Sequence, residues 1–120
     1  MENDFQIISF DVTAAGDGLW KAYFDHADEI HAEIDPEDPP MPREKRRAML
    51  ISAQSVPYVN RYRCLLLAGN GEAAGFASVS AENAKSPSYQ DNKHVGNLNL
   101  SVLGKHRRKG LGTRLLRHMA

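Results

Sequence analysis

Apolar and polar positions along the 120-residue chain change period several times, and each change marks an element. Phe5 to Asp11 alternates, with Phe5, Ile7 and Ser9 on one side and Gln6, Ile8 and Phe10 on the other, which predicts a strand that ends by Gly16 and Asp17. From Gly18 to about Asp35 the apolar residues Leu19, Trp20, Tyr23, Phe24, Ala27, Ile30 and Ile34 recur at steps of three and four, the helical period, with Asp17 placed to cap the first amides. Trp20, Tyr23 and Phe24 read as core. Four prolines between Pro36 and Pro42 impose a loop, and Pro42 then stands where a second helix, Arg43 to about Gln54, can begin before Pro57 ends it.

In the second half the period drops to two. Tyr62–Ala68 and Ala74–Ala81 flank Gly69-Asn70-Gly71-Glu72, and an Asn-Gly step tolerates the positive φ that a tight hairpin demands. Glu82 to Asn92 is polar and reads as a solvated connection. Val95–Val102 alternates again, with Leu98, Leu100 and Val102 on one face and Asn97, Asn99 and Ser101 on the other, so it predicts the third strand of a meander. Gly104–Lys109 turns the chain, and Gly110–Ala120 resumes helical spacing through Leu111, Leu115, Leu116 and Met119. That helix carries no stop signal and the strand before it would lie at an open edge. The expectation is therefore one domain over residues 1–120, α/β in class, incomplete at its C-terminus and forming the front of a larger fold.

Composition narrows the class. With 42% hydrophobic and 25% charged residues, nine glycines and one cysteine, the chain fits neither a collagen-like, a disulfide-framework nor a disordered protein. Cys64 has no intrachain partner and reads as a small core residue; cytoplasm is the default expectation. The acidic N-terminus lacks the features of a signal peptide, and no apolar run is long enough for a membrane helix. Net charge is zero, yet the first 42 residues hold 11 acids and one base, whereas the last 29 hold seven bases and no acid. Such asymmetry suggests that the C-terminal part meets an anion.

The chemistry lies in the segment from Leu98 to Thr113, a strand, a basic glycine-containing turn and a helix start. A helix N-terminus offers unpaired N–H groups and partial positive charge, and glycines let a phosphate approach the backbone. Neither the P-loop spacing nor the dinucleotide fingerprint is present, since Leu111 follows Gly110 and Leu115 stands where a third glycine would be. What is present is R-x-x-G-x-G, as Arg107-Arg108-Lys109-Gly110-Leu111-Gly112, five residues after Val102. This resembles the acyl-coenzyme A loop of the GNAT N-acetyltransferase superfamily, and the order strand, helix, helix, hairpin, strand, glycine turn, helix resembles the first two-thirds of a GNAT domain.

The resemblance implies a mixed, mainly antiparallel sheet with flanking helices, and transfer of an acetyl group from acetyl-coenzyme A, as co-substrate, to a small-molecule or peptide amine. It implies that backbone groups of Leu100, Ser101 and Val102 pair with the pantetheine arm, and that Arg107, Arg108, Lys109, Gly110, Leu111, Gly112 and Thr113 surround the pyrophosphate. A β-strand amide near Leu100 to Val102 would polarise the thioester carbonyl. Gly104 replaces a frequent proline, and Gly96 stands where some members carry a glutamate base, so the catalytic acid and base are left open. Since the first helix and the Pro-rich loop commonly edge the acceptor site in this family, Glu33, Asp35, Glu37 and Asp38 would favour a cationic acceptor.

No metal is expected. His26 and His31 lie about 140° apart around their helix, share no ligand face, and read as solvated or partly packed. Asn97, Asn99 and Ser101 read as the wet side of a strand that could also line a cleft. The open strand edge and the bare face of the last helix predict self-association of a chain that shows little transfer in isolation. Two other classes are compatible: a catalytically incompetent coenzyme A-binding module or fragment, and a nucleic-acid binder using residues 105–118. The latter lacks the interleaved aromatics that stack on single strands.

Overall fold

In the computed structural model, which describes residues 5–86, 96–107 and 109–119, four strands and three α-helices follow the predicted order. They are β1 (Gln6–Ser9), α1 (Asp17–Ile34), α2 (Arg43–Gln54), β2 (Val59–Leu67), β3 (Ala73–Glu82), β4 (Gly96–Val102) and α3 (Leu111–Met119), with a 3-10 turn at Gly104–His106. Val95, Arg108, Ala120 and the latter part of the polar connection lie outside the described residues. The strands form one antiparallel sheet in the order β1-β2-β3-β4. The hairpin between β2 and β3 turns where Asn-Gly predicts: Gly71 takes φ +86° and its N–H donates to the Ala68 carbonyl at 2.9 Å.

The sheet separates two cores because side chains alternate across it. On one face Ile8, Leu65 and Phe76 meet Phe10, Trp20 and Phe24; on the other Ile7, Cys64, Leu66 and Ala77 meet Leu111 and Leu115 of α3. Cys64 is fully buried, as the apolar context predicts. Gly75 of β3 permits α3 to lie close, since a Cβ built there would stand 2.8 Å from Leu115 Cδ1.

Several local expectations are corrected. Asp17 does not cap α1: Gly16 is the N-cap, no side chain bonds there, and Asp17 is the first helical residue, where its charge complements the helix dipole. The apolar stripe of α1 ends before Ile34, which is 78% exposed because the helix has by then run past the core. β2 begins earlier than its apolar run, at Val59, because β3 extends to Glu82 and pairs with it.

The helix α2 buries no residue fully and is held by another device. Arg46 and Arg47 lie 4.9 and 4.8 Å from the rings of Phe24 and Trp20, while Arg43 and Arg46 ion-pair with Asp28 at 2.8 and 2.7 Å. Part of the charge gradient along the chain is thus spent inside the fold.

Candidate functional site

The expected site residues gather at one end of the sheet. Unbroken register from Gly75↔Val102 to Ala81↔Gly96, with Leu103 N–H bonded to the Ala74 carbonyl at 2.9 Å, fixes which β4 groups are committed. In an antiparallel ladder alternate residues turn both backbone groups to the partner. Asn97, Asn99 and Ser101 therefore face β3, and Leu98, Leu100 and Val102 turn their N–H and C=O to the other edge, which pairs with no strand among the described residues. Among the described residues Leu100 N–H and C=O and Val102 N–H are uncommitted, the Val102 carbonyl accepting from Arg107 Nε, whereas Ser101 turns its own groups toward β3 and its side chain toward α1.

Beyond β4 the chain passes through the 3-10 turn and enters α3 at Gly110, whose φ of +75° is a left-handed angle that glycine adopts without strain. The amides of Leu111, Gly112 and Thr113 head the helix, and Arg114 N–H closes its first turn on the Gly110 carbonyl at 3.0 Å. Gly112 sits against β4, a Cβ there falling 3.7 Å from Leu100 Cδ2. The Leu111 side chain is buried in the α3 core, so only its backbone can face a ligand. Thr113 is exposed, and Lys109 extends over the Phe5 ring with Nζ 5.9 Å from its centre. Arg108 lies outside the described residues.

Two carboxylates from elsewhere clasp the turn. Glu33 of α1 accepts the Gly104 N–H at 3.2 Å and ion-pairs with Arg107 at 2.8 Å, while Arg107 Nε also donates to the Val102 carbonyl at 3.0 Å. Glu72, in the β2–β3 turn, holds Lys105 at 2.5 Å and stands 3.5 Å from His106 Nε2. The hydrogen bond from Lys105 keeps the Glu72 carboxyl below its ordinary range. Glu33 is thereby engaged with the turn, and Asp35, Glu37 and Asp38 are exposed residues past the end of α1.

His26, expected to be solvated or partly packed, is buried at 3% exposure and ties α1 to two strands. Its Nδ1 lies 2.8 Å from the Ala73 carbonyl and its Nε2 2.8 Å from Ser101 Oγ. Burial holds its pKa below the ordinary 6.5, against the pull of Glu29, Glu33 and Glu72. The neutral ring therefore donates Nδ1–H to Ala73 and accepts the Ser101 hydroxyl proton at Nε2. The signal was its place three residues after Tyr23 and four before Ile30, at the margin of the apolar stripe. Because the folded pKa is depressed, the unfolded chain binds the extra proton first, and stability falls as pH drops below about 6.5. Urea unfolding at pH 7.5 and 5.5 should show that loss in the native chain and a smaller one in His26→Gln; equal slopes would contradict it.

Sequence reasoning also missed Arg61 and Arg63. They share a β2 face with Leu65 and Leu67, so the face that is apolar at one end of the strand becomes basic at the other. Arg63 is 7% exposed and donates to Gln54 Oε1 at 2.6 Å; Arg61 donates to the Ala53 carbonyl. Among the described residues no group of three or more His, Cys, Asp or Glu could hold a metal, and no helix is long and apolar enough to cross a membrane.

A family model described as acetyltransferase (GNAT) matches residues 19–120. A GCN5-related N-acetyltransferase from Kribbella flavida superposes with a TM-score of 0.64 at 21% identity, over 99% of this chain and 64% of that one. A protein of Acinetobacter baylyi solved as a candidate acetyltransferase gives 0.62 at 16% identity, over 96% and 60%. An aminoglycoside 6'-N-acetyltransferase from Acinetobacter baumannii gives 0.57 at 14%, over 96% and 68%. The chain thus spans between 60% and 68% of these structures, and at such identities the likeness is one of fold. A search of curated proteins finds no match.

Proposed function

The chain belongs to the GNAT acetyltransferase family, and from that premise we propose that it carries acetyl-coenzyme A on the free edge of β4 and the head of α3, for transfer of the acetyl group to an amine. The observation that carries this reading is the conjunction of the two: outward-facing Leu100 N–H and C=O and Val102 N–H on β4, followed by a left-handed Gly110 and the amides of Leu111, Gly112 and Thr113. In this reading the pantetheine arm extends the sheet as an added strand, while the pyrophosphate meets the helix dipole with Arg107, Arg108 and Lys109 around it. Acetyl-coenzyme A supplies the activated thioester. The Leu100 or Val102 N–H, fixed in the sheet and aimed outward, donates to the carbonyl oxygen as charge develops there.

The Glu33 and Glu72 contacts give the turn its shape before a ligand arrives, so less freedom is lost on binding. Glu33 also shares Arg107 with the phosphates, which leaves Lys109 as the cation with no carboxylate partner among the described residues of the loop. Calorimetric titration with acetyl-coenzyme A tests the binding half, and thiol release in the presence of amines tests transfer. Saturable one-to-one binding is expected; its absence in the folded chain would overturn the reading. Binding without thiol release for any amine would instead favour the coenzyme A-binding module.

The same free edge supports self-association, since Leu98 and Leu100 on it are 46% and 39% exposed beside the exposed Leu116 of α3. Sedimentation at micromolar concentration should give a dimer mass that acetyl-coenzyme A lowers as it occupies the edge. A monomer of 13.3 kDa throughout would remove this part of the proposal.

A further inference from the structure

On the α1 side of the sheet, register places Arg63 opposite Ser78 and Ser78 opposite Asn99, and likewise Arg61, Ser80 and Asn97 in a second row. Two polar rows therefore cross from β2 to β4. Above them lies a cleft of about 270 Å³, with Tyr23 and Leu50 among its walls. Its basic end combines a buried guanidinium, Arg63, with the lack of an ion pair among the described residues. Arg43, Arg46, Lys105 and Arg107 all ion-pair with carboxylates, whereas neither Arg61 nor Arg63 does so among the described residues. Asp11, which lines an adjoining hollow with both arginines, accepts at its Oδ1 from the Thr13 N–H and hydroxyl.

A guanidinium removed from water costs several kcal/mol unless an anion compensates it, and a second one beside it adds repulsion. Arg63 meets both conditions: burial and the neighbouring Arg61 push its pKa down, and among the described residues the acceptor of its side chain is the neutral Gln54 amide. Such an arrangement destabilises the empty fold and is relieved by a bound anion. The cleft is of amino-acid size, smaller than a typical drug site. The planar fork of arginine matches a carboxylate in two-point contact.

We propose that the acetyl acceptor is a small amine that also carries a carboxylate, with the carboxylate on Arg61 and Arg63 and the amine toward Asn99 on β4. This rests on the acetyl-transfer reading for the identity of the amine, though not for the anion site itself. The charges also assist the chemistry, because nearby guanidinium groups lower the pKa of an ammonium and enrich the nucleophilic free amine. An acidic acceptor edge at Glu33, Asp35, Glu37 and Asp38 would select the opposite charge, but Glu33 is bound to Gly104 and Arg107.

The test compares matched pairs, glycine with glycinamide, β-alanine with its amide and γ-aminobutyrate with its amide, by calorimetry on the acetyl-coenzyme A-saturated full chain and by thiol release. The acid of at least one pair should be preferred roughly 10- to 100-fold. Arg61→Gln should erase most of that preference, and Arg61→Glu should invert it toward the amide, which a merely structural arginine would not do. Arg61 is the position varied because Arg63 is buried; circular dichroism checks the fold of each variant. Thiol release with equal use of acids and amides would sink the carboxylate assignment and leave acetyl transfer standing. Arginine-dependent carboxylate binding with no thiol release would leave the anion site standing and sink acetyl transfer. Neither binding nor release, or tighter binding of aminoethylphosphonate than of β-alanine, overturns the proposal.

Discussion

Gly110→Glu should weaken acetyl-coenzyme A binding at least a hundredfold while Gly110→Asn weakens it only a few-fold. The contrast isolates charge from conformation. A Cβ at Gly110 meets nothing within 4 Å, so neither variant clashes; both must hold φ near +75°, which costs an ordinary side chain about 1–2 kcal/mol and asparagine less. Glutamate adds a negative charge at the entry to α3, where the proposal seats the pyrophosphate. Two like charges about 4 Å apart in a partly exposed site repel by roughly 4 kcal/mol, enough for a loss of two to three orders of magnitude. Calorimetry reads the affinities and urea unfolding the strain. An unchanged affinity in a folded Gly110→Glu chain would place the phosphates elsewhere, and equal losses in both variants would mean that backbone strain, not charge, is what matters.

The parts of the fold legible in the sequence were those governed by local periodicity. Asn70-Gly71 needs positive φ at Gly71 and turns there, and the stripe through Trp20 and Phe24 becomes the buried side of α1. Errors arose where backbone geometry or a distant strand decides. Nothing near Asp17 reveals that Gly16 will be the N-cap, and Tyr62–Ala68 as an apolar run cannot show that Glu82 extends the pairing back to Val59. The glycine turn leading into α3 was recognisable from Arg107, Gly110 and Gly112, because glycine spacing and charge are local. The polar cleft beside β2 was not. Arg61 and Arg63 acquire meaning only when register sets them beside Ser80 and Ser78 with no carboxylate paired to them among the described residues, and His26 only when Ala73 and Ser101 close around it.

The charge gradient illustrates the same limit. Read along the chain, an acidic front and a basic end suggest an external anion. In the fold, Asp25 and Asp28 on α1 meet Arg43, and Glu33 and Glu72 meet Arg107 and Lys105, so much of the asymmetry is internal pairing. Exposed pairs of this kind contribute little stability individually. Their greater consequence is positional: they attach the turn after β4 to α1 and to the β2–β3 hairpin, two elements that also carry the His26 tether.

Gly75→Val should cost more than any surface substitution and should reduce coenzyme A affinity without touching the ligand site. At Gly75 even a methyl group would lie 2.8 Å from Leu115 Cδ1, 3.3 Å from the Ser101 carbonyl oxygen and 3.4 Å from Leu66 Cβ. Leu115 is completely buried, so its side chain has no open space to enter, and the oxygen belongs to a paired strand that cannot yield alone. Gly75→Ala should therefore lose about 1–3 kcal/mol as an overpacked site, and valine more. Relief comes most easily by lifting α3 from the sheet, which shifts the Leu111 to Thr113 amides relative to the β4 edge and weakens binding in step with stability. A double-mutant cycle identifies the cause. Leu115→Ala alone should cost about 2–5 kcal/mol as a cavity, but in combination with Gly75→Ala the losses should sum to clearly less than the two separately, because removing Cδ1 makes room for the new methyl. Additive losses would show that the close approach of α3 to Gly75 is not what constrains this position.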